Sequence, residues 1–245
     1  MQRTHLVGVG VGPGDPQLVT LAAATALQQA DVVLVPATEK SGDGPGRAEQ
    51  IVRAVAPAAR IERIGFAMRE QGRSARRQES WQAAAEAALT HFADGLTTIA
   101  MATIGDPAVY STFSYLAGTV RAALPAVEVS WIPGITAMQA LAAASGTPLV
   151  EGNEVLALAP ATLGAEGLGP VLDAADSVCV YKGGRQLGMV REALAERGRD
   201  GIVGSEVSLP EEHLASLDDL DQDTRTGYFS AVLSTPSRTS IGGSL

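Results

Sequence analysis

The sequence predicts an α/β protein of two domains. Short apolar runs that read as buried strands alternate with alanine-rich stretches of helical spacing. Three loops rich in glycine and proline stand where a strand hands over to a helix. They are Gly8-Val9-Gly10-Val11-Gly12-Pro13-Gly14-Asp15-Pro16, Ile104-Gly105-Asp106-Pro107, and Ile132-Pro133-Gly134-Ile135-Thr136-Ala137. In open α/β sheets such loops lie at the carboxyl edge of the strands, where backbone amides and helix N-termini converge on small molecules. A chain of 245 residues exceeds the usual single-domain size, so two domains are expected.

Taken in order, residues 5–11 read as a buried strand followed by the first glycine loop. A helix is expected to open at Asp15-Pro16, since Asp accepts an orphan amide at the N-cap and Pro at the first helical position has none to lose. Residues 21–30 continue as an alanine-rich helix, and residues 31–36 form the second strand. Residues 37–46 are polar and glycine-rich, hence a loop, while Ile51, Val52 and Val55 give 47–55 a helical face. A strand is expected at 60–66 and a helix at 81–92. A strand at 97–103 ends in the Gly-Asp-Pro loop, a helix follows at 109–124, a strand at 127–132 and a small-residue helix at 136–144. Because repeated βα order precedes Pro125 and a fresh series follows it, the domains are expected at 1–125 and 126–245. Later strands are expected at 155–158, 177–181, 201–207 and 228–233. Residues 173–176 and 218–223 read as acidic surface connections, and 234–245, rich in Ser, Thr and Gly, as a frayed end.

With 46% hydrophobic residues and a mean hydropathy of +0.13, the chain can bury a sizeable core. A net charge of −9 and only 4% aromatic residues argue against nucleic acid, which selects a basic face and stacking platforms. The N-terminus does not read as a signal peptide, and no apolar run approaches the ~18 residues of a membrane span, so a cytoplasmic protein is expected. The single cysteine, Cys179, lies in the apolar run 177–181 and reads as a small core residue. One local asymmetry stands out: residues 68–77 carry Arg69, Arg73, Arg76 and Arg77, as either a solvated helix face or an anion-binding patch.

The first loop is near a dinucleotide fingerprint but fails it in both registers. Pro13 or Asp15 stands where the last glycine belongs, and an acidic N-cap followed by proline receives phosphate poorly. A P-loop is absent too, whereas an adenosine or amino-acid moiety is compatible. Asp106, between Gly105 and Pro107, either caps the next helix or meets a ribose hydroxyl or ligand ammonium; Thr136 can cap its own helix, touch a ligand, or both. His5, His91 and His213 form no metal-spaced cluster, and neither a nucleophile elbow nor a kinase set is present. No catalytic residue is assigned, and any chemistry is expected to rely on positioning rather than on a nucleophile or metal.

In this order and at these distances, the loops resemble the tetrapyrrole methylases, the S-adenosylmethionine-dependent enzymes of sirohaem and cobalamin biosynthesis. The family opening stands as Gly10-Val11-Gly12-Pro13-Gly14-Asp15-Pro16-Gln17-Leu18-Val19-Thr20-Leu21. Within the family, Gly105-Asp106-Pro107-Ala108-Val109-Tyr110-Ser111-Thr112-Phe113 is similar to the precorrin-2 C-20 methyltransferases. The stretches Pro133-Gly134-Ile135-Thr136-Ala137-Met138-Gln139-Ala140, Pro148-Leu149-Val150-Glu151-Gly152-Asn153-Glu154 and Tyr228-Phe229-Ser230 fit the same subgroup. The resemblance runs from Leu6 to about Leu233.

It implies the two-domain fold of class III methyltransferases, with S-adenosylmethionine in the inter-domain cleft, and a homodimer. Cofactor contacts would fall on Pro13, Gly105, Asp106, Val109, Thr136 and Ala137, with Tyr181, Val207 and Ser230 from the second domain. Gly12, Asp15, Tyr110 and Ser111 would lie on the substrate side. Many relatives have Met-Lys where this chain has Tyr181-Lys182, and residues 206–212 follow the family pattern only loosely. The implied reaction methylates precorrin-2 at C-20, giving precorrin-3A and S-adenosylhomocysteine. Alternatives are the same reaction on the cobalt-containing analogue, or a non-catalytic sensor of an adenosine ligand. Since the substrate is a polycarboxylate and the protein is acidic, Arg69, Arg73, Arg76 and Arg77, with Arg47 and Arg53 behind them, become candidates to receive it.

Overall fold

A computed structural model of the chain describes residues 3–37, 44–65, 75–221, 224–227 and 229–238, with only the backbone of 75–78. It divides into two compact units, Met1–Thr136 and Ala137–Leu245. Among the described residues no helix is long and apolar enough to cross a membrane.

In the first unit, β1 (His5–Gly10), β2 (Val32–Ala37), β3 (Ile61–Gly65), β4 (Thr98–Thr103) and β5 (Glu128–Ile132) form one parallel sheet in the order β3-β2-β4-β1-β5. Helices cover both faces, which is why its central strands read as continuous apolar runs. Period-2 alternation sends Leu6, Val32, Leu34, Ile99 and Met101 to one face, against α3 (Ala75–Ala93) and α4 (Phe113–Ala123). It sends Val7, Val9, Val33, Val35, Ala100 and Ala102 to the other, against α1 (Leu21–Gln29) and α2 (Arg47–Val55). Each large aliphatic side chain so buried contributes about 1.5–3 kcal/mol.

The second unit is also layered. Strands β6 (Leu156–Pro160), β7 (Ser177–Tyr181), β8 (Ile202–Ser205), β9 (His213–Ser216) and β10 (Ser230–Ser234) run in the order β6-β7-β10-β8-β9. Only β6 and β7 are parallel; the other pairs are antiparallel. Helix α5 (Ala137–Ser145) packs Leu141 on Cys179, Ala231 and Leu233. Helices α6 (Gly164–Ala174) and α7 (Leu187–Ala195) pack Leu168, Leu172, Val190 and Leu194 on Val178, Val180, Val203 and Val232 of the other face. Cys179 is fully buried, as expected of a core residue, and burial pushes its thiol up to about 12.

Several elements depart from the sequence reading. The residues after Asp15 form only a short 3-10 turn, Pro16–Leu18; α1 then starts afresh at Leu21, its Ala23 amide capped by the Thr20 hydroxyl. The helix expected from 109 begins at Phe113, because Tyr110 adopts a left-handed conformation that no helix accommodates. The first unit extends past Pro125 to Thr136, since β5 pairs with β1 and completes its sheet. Helices α6 and α7 and strand β9 have no counterpart in the sequence reading. Asp173 belongs to the last turns of α6 and pairs with Arg197 at 2.7 Å. The frayed end starts later than expected: Ser234 is buried in β10, and Arg238 holds both carboxylate oxygens of Glu154 at 2.7 and 2.8 Å. Tyr228 and residues 239–245 lie outside the described residues.

Edge strand β3 is fastened by polar side-chain clips from α3 and α2. His91 of α3 meets Glu62 at 2.6 Å, and Arg63 reaches Glu49 of α2 at 2.6 Å, where Arg53 joins at 2.7 Å. Arg53, a candidate for receiving an anionic substrate, is thus committed to Glu49. The Glu49 side chain is 1% exposed, and the Arg63 hydrogen bond, with help from Arg53 and against desolvation, holds its carboxyl below the ordinary 4.5. A lowered folded value means that the stabilisation is present at neutral pH and is lost as pH falls below 4.5 through the folded value. The arginines are 40% and 58% exposed, so screening keeps the contribution modest. Glu49→Gln is expected to lower stability by about 1–2 kcal/mol near neutral pH. Thermal unfolding as a function of pH should show the gap between variant and parent closing on acidification.

Candidate functional site

The three loops of the first unit meet at their backbones. Val11 continues past β1 by donating to Thr103 O at 2.9 Å, and Gly12 and Gly105 then exchange hydrogen bonds of 3.3 and 2.7 Å as an isolated antiparallel bridge. Gly105 can turn back in this way because its φ is +74°, which a side chain resists. Asp106 joins the second loop to the third: Oδ1 accepts the Ala108 amide at 2.7 Å, and Oδ2 accepts the Gly134 amide at 3.0 Å. A Cβ on Gly10 would lie 2.6 Å from both Gly105 O and Gly134 N. These neighbours are backbone of the two other loops and cannot swing aside, so only glycine fits at the meeting point.

Asp106 does not cap the next helix, since α4 opens at Phe113 with Thr112 before it; its carboxylate turns the chain locally and clamps a distant loop. Each oxygen keeps lone-pair capacity beyond the bond it makes. Asp15 caps its own turn through the Gln17 amide at 2.8 Å. Pro13, Gly12 and Gly105 are buried, and Thr136 is 9% exposed at the end of the third loop. Behind the second loop, Val109 N bonds Asp106 O at 3.2 Å, and the Ser111 hydroxyl accepts the Phe113 amide at 3.1 Å. Tyr110 lies between them at φ +50° with its side chain 45% exposed. A bulky residue in that region is strained, and such strain concentrates at functional loops.

Arg69 and Arg73 lie outside the described residues, while Arg76 and Arg77 form part of the first turn of α3. Trp81 stacks on Tyr115 with centroids 4.1 Å apart, so the second turn of α3 lies beside the opening turn of α4.

The second unit gathers its own expected residues along one sheet edge. Register pairs Ala231 with Tyr181 and Ser230 with Ser205, which brings the ends of β7 and β8 to the start of β10. The chain beyond these ends is tied together: Glu206 N bonds Phe229 O at 3.0 Å, the Ser230 hydroxyl donates to Gly227 O at 2.9 Å, and Thr226 N bonds Gly184 O at 2.8 Å. Val207 stands between Glu206 (φ +51°) and Ser208 (φ +71°), and Lys182 follows Tyr181 at φ +61°. Among the described residues these three and Tyr110 are the non-glycine residues with positive φ, and all four flank residues singled out from the sequence.

Buried polar atoms also remain unmatched in each unit. Gln186 Oε1 and Thr226 Oγ1 beside the Gly183-Gly184 turn, and Thr103 Oγ1 at the end of β4, have no hydrogen-bond partner among the described residues. Burying such groups unpaired costs about 1–3 kcal/mol each, so they mark places where a polar ligand atom is welcome. Gln186, Thr226 and Gly184 escaped the sequence reading; the one available signal was a glycine pair directly after a strand. His5 is spent on Ser130 at 2.7 Å and His91 on Glu62, in agreement with structural roles. No group of three or more His, Cys, Asp or Glu among the described residues could hold a metal ion.

The chain that builds these loops is similar to proteins of known family. A family model described as tetrapyrrole (corrin/porphyrin) methylases covers residues 5–221. A Sinorhizobium protein named precorrin-2 C(20)-methyltransferase is 34% identical over 240 residues, 94% of each chain. A Methanocaldococcus jannaschii protein named probable cobalt-precorrin-2 C(20)-methyltransferase is 35% identical over 71% of this chain and 70% of its own. At the level of fold, a uroporphyrin-III C-methyltransferase from Thermus thermophilus, solved with S-adenosylhomocysteine, superposes with a TM-score of 0.67 at 21% identity over 94% of this chain and 97% of its own. With a family model spanning most of its length and a relative matched almost end to end, this chain belongs to the tetrapyrrole methylases.

Proposed function

We propose that this protein methylates precorrin-2 at the C-20 meso carbon in cobalamin biosynthesis, with S-adenosylmethionine as donor and S-adenosylhomocysteine as product. The observation that carries the proposal is the near end-to-end similarity to a precorrin-2 C(20)-methyltransferase, in a chain whose Gly105-Asp106-Pro107 loop runs through a strained Tyr110 into α4. The donor suits the residues present. Its adenosine and amino-acid groups are polar and need neutral and carboxylate partners, which the unmatched atoms of Gln186, Thr226 and Thr103 and the Asp106 carboxylate offer. A pyrophosphate would find Asp15 and Pro16 at the loop instead.

In this proposal Pro13, Gly105, Asp106, Val109, Thr136 and Ala137 hold the cofactor, together with Val207 and Ser230, and Tyr181 serves the same site. When bound, S-adenosylmethionine supplies a methyl group already activated by its sulfonium. What remains for the protein is alignment and exclusion of water, and a rigid backbone clamp suits that task because misplacement by ~1 Å can cost about a hundredfold in rate. Gly12, Asp15, Tyr110 and Ser111 face the tetrapyrrole, and the arginines at 69, 73, 76 and 77 attract its carboxylates to an otherwise acidic protein. Support for the arginines comes from the Trp81–Tyr115 stack, which keeps the second turn of α3, next to theirs, beside the opening of α4. A cytoplasmic homodimer completes the proposal on the strength of the resemblance. A second reading, the same methylation on the cobalt-containing substrate, rests on the name of the M. jannaschii relative.

Anaerobic incubation with S-adenosylmethionine and precorrin-2, with and without cobalt, followed by mass spectrometry, should show the gain of one methyl on the metal-free substrate. Gain on the cobalt form alone would select the second reading; S-adenosylhomocysteine binding with no methyl gain on either would leave a sensor. Arg76→Ala combined with Arg77→Ala should raise the tetrapyrrole KM about tenfold or more, consistent with loss of two charge-assisted contacts, and leave cofactor affinity unchanged. An unchanged KM would remove these residues from the site.

A further inference from the structure

From the hydrogen bonding of the second unit we infer that Tyr181 is a positioning residue: its phenol oxygen sets the first turn of α5, and it serves the cofactor through that turn rather than by contact. The inference deepens the proposed function and rests on it for the ligand. Tyr181 ends β7, and its hydroxyl accepts the backbone amide of Met138 at 3.2 Å. Met138 is the second residue of α5, so its amide is one of the four at a helix start with no acceptor inside the helix. Helix starts are ordinarily completed by the residue just before them, whereas here a side chain 43 positions further along supplies an acceptor.

Three further observations give the bond its consequence. Ala137, a proposed cofactor contact, is the residue immediately before Met138, so the peptide that Tyr181 holds is the one that follows it. Tyr181 and Met138 both pack at the margin of the cluster formed by Leu141, Cys179, Ala231 and Leu233, so ring and helix are fixed by the same buried layer. Lys182, directly after Tyr181, is left-handed at φ +61°, and the turn beyond it carries the unmatched Gln186 Oε1. One hydroxyl therefore couples the start of α5 to the end of β7, two of the places where the second unit presents its expected ligand groups. A methionine at position 181 could fill the apolar space but offers no comparable acceptor.

The test is Tyr181→Phe in the full chain, which removes one oxygen, with Tyr181→Met as a second variant of similar bulk should the first fold poorly. Two measurements are paired: amide exchange of the ligand-free protein across the first turn of α5, and calorimetric binding of S-adenosylhomocysteine. The expected result is faster exchange at 137–141 without ligand, binding weaker by about three- to tenfold, and an unchanged tetrapyrrole KM at saturating donor. Unchanged exchange with weakened binding would overturn the inference and make Tyr181 a direct ligand contact. No change in either would overturn it as well. If the parent protein fails to bind S-adenosylhomocysteine, the proposed function fails, while the exchange measurement still decides whether Tyr181 orders the turn.

Discussion

The structure of the first unit depends on a contact with no side chain in it. Gly10, Gly105 and Gly134 bring three backbones within van der Waals distance, and the Gly12–Gly105 bridge and the Asp106–Gly134 hydrogen bond close around them. Close packing of main chain has few alternative arrangements, because peptide groups, unlike side chains, have no rotamers to exchange. The loops at the ends of β1, β4 and β5 are therefore fixed relative to one another before any ligand arrives. For a reaction whose donor already carries its activation, such preorganisation is the main thing a protein can add.

The second unit solves a similar problem with different means. Its site edge is built from mixed strands, so the ends of β7 and β8 meet the beginning of β10 rather than three like ends. Holding those ends requires left-handed backbone at Lys182, Glu206 and Ser208, each of order 1–3 kcal/mol of strain, sustained by the buried layers of Val178, Val180, Val203 and Val232 beneath them. That strain occurs at residues beside the expected ligand groups, and not at the distant edge formed by β9 or on α6, fits a site that is kept in one conformation by its scaffold.

Much of this was legible in the sequence, for identifiable reasons. The parallel sheet announced itself because strands buried on both faces are continuous runs such as 32–35 and 99–102. The three loops were visible because glycine, proline and aspartate mark strand-to-helix turns. What stayed hidden depended on long-range partners. Tyr110 is an ordinary residue until its φ is seen; it delays α4 to Phe113. Nothing local told that residues 128–132 would join β1, which moves the division of the chain from Pro125 to Thr136. Glu49 carries no local sign of burial, yet it is a buried anchor for Arg63, a partner on another element. Strand β9 is four residues long and half-exposed, too short and too mixed to show a period of two.

The central claim, that the Asp106 clamp between the second and third loops organises the cofactor site, is tested most directly by calorimetric titration of S-adenosylhomocysteine into the parent protein and Asp106→Asn. Asparagine turns one of the two accepting oxygens into a donor, so either Ala108 N or Gly134 N faces another donor. The account predicts binding to the parent and at least about tenfold weaker binding to a variant that remains folded, in line with losing a charge-assisted hydrogen bond. Equal affinity of the two proteins would contradict it.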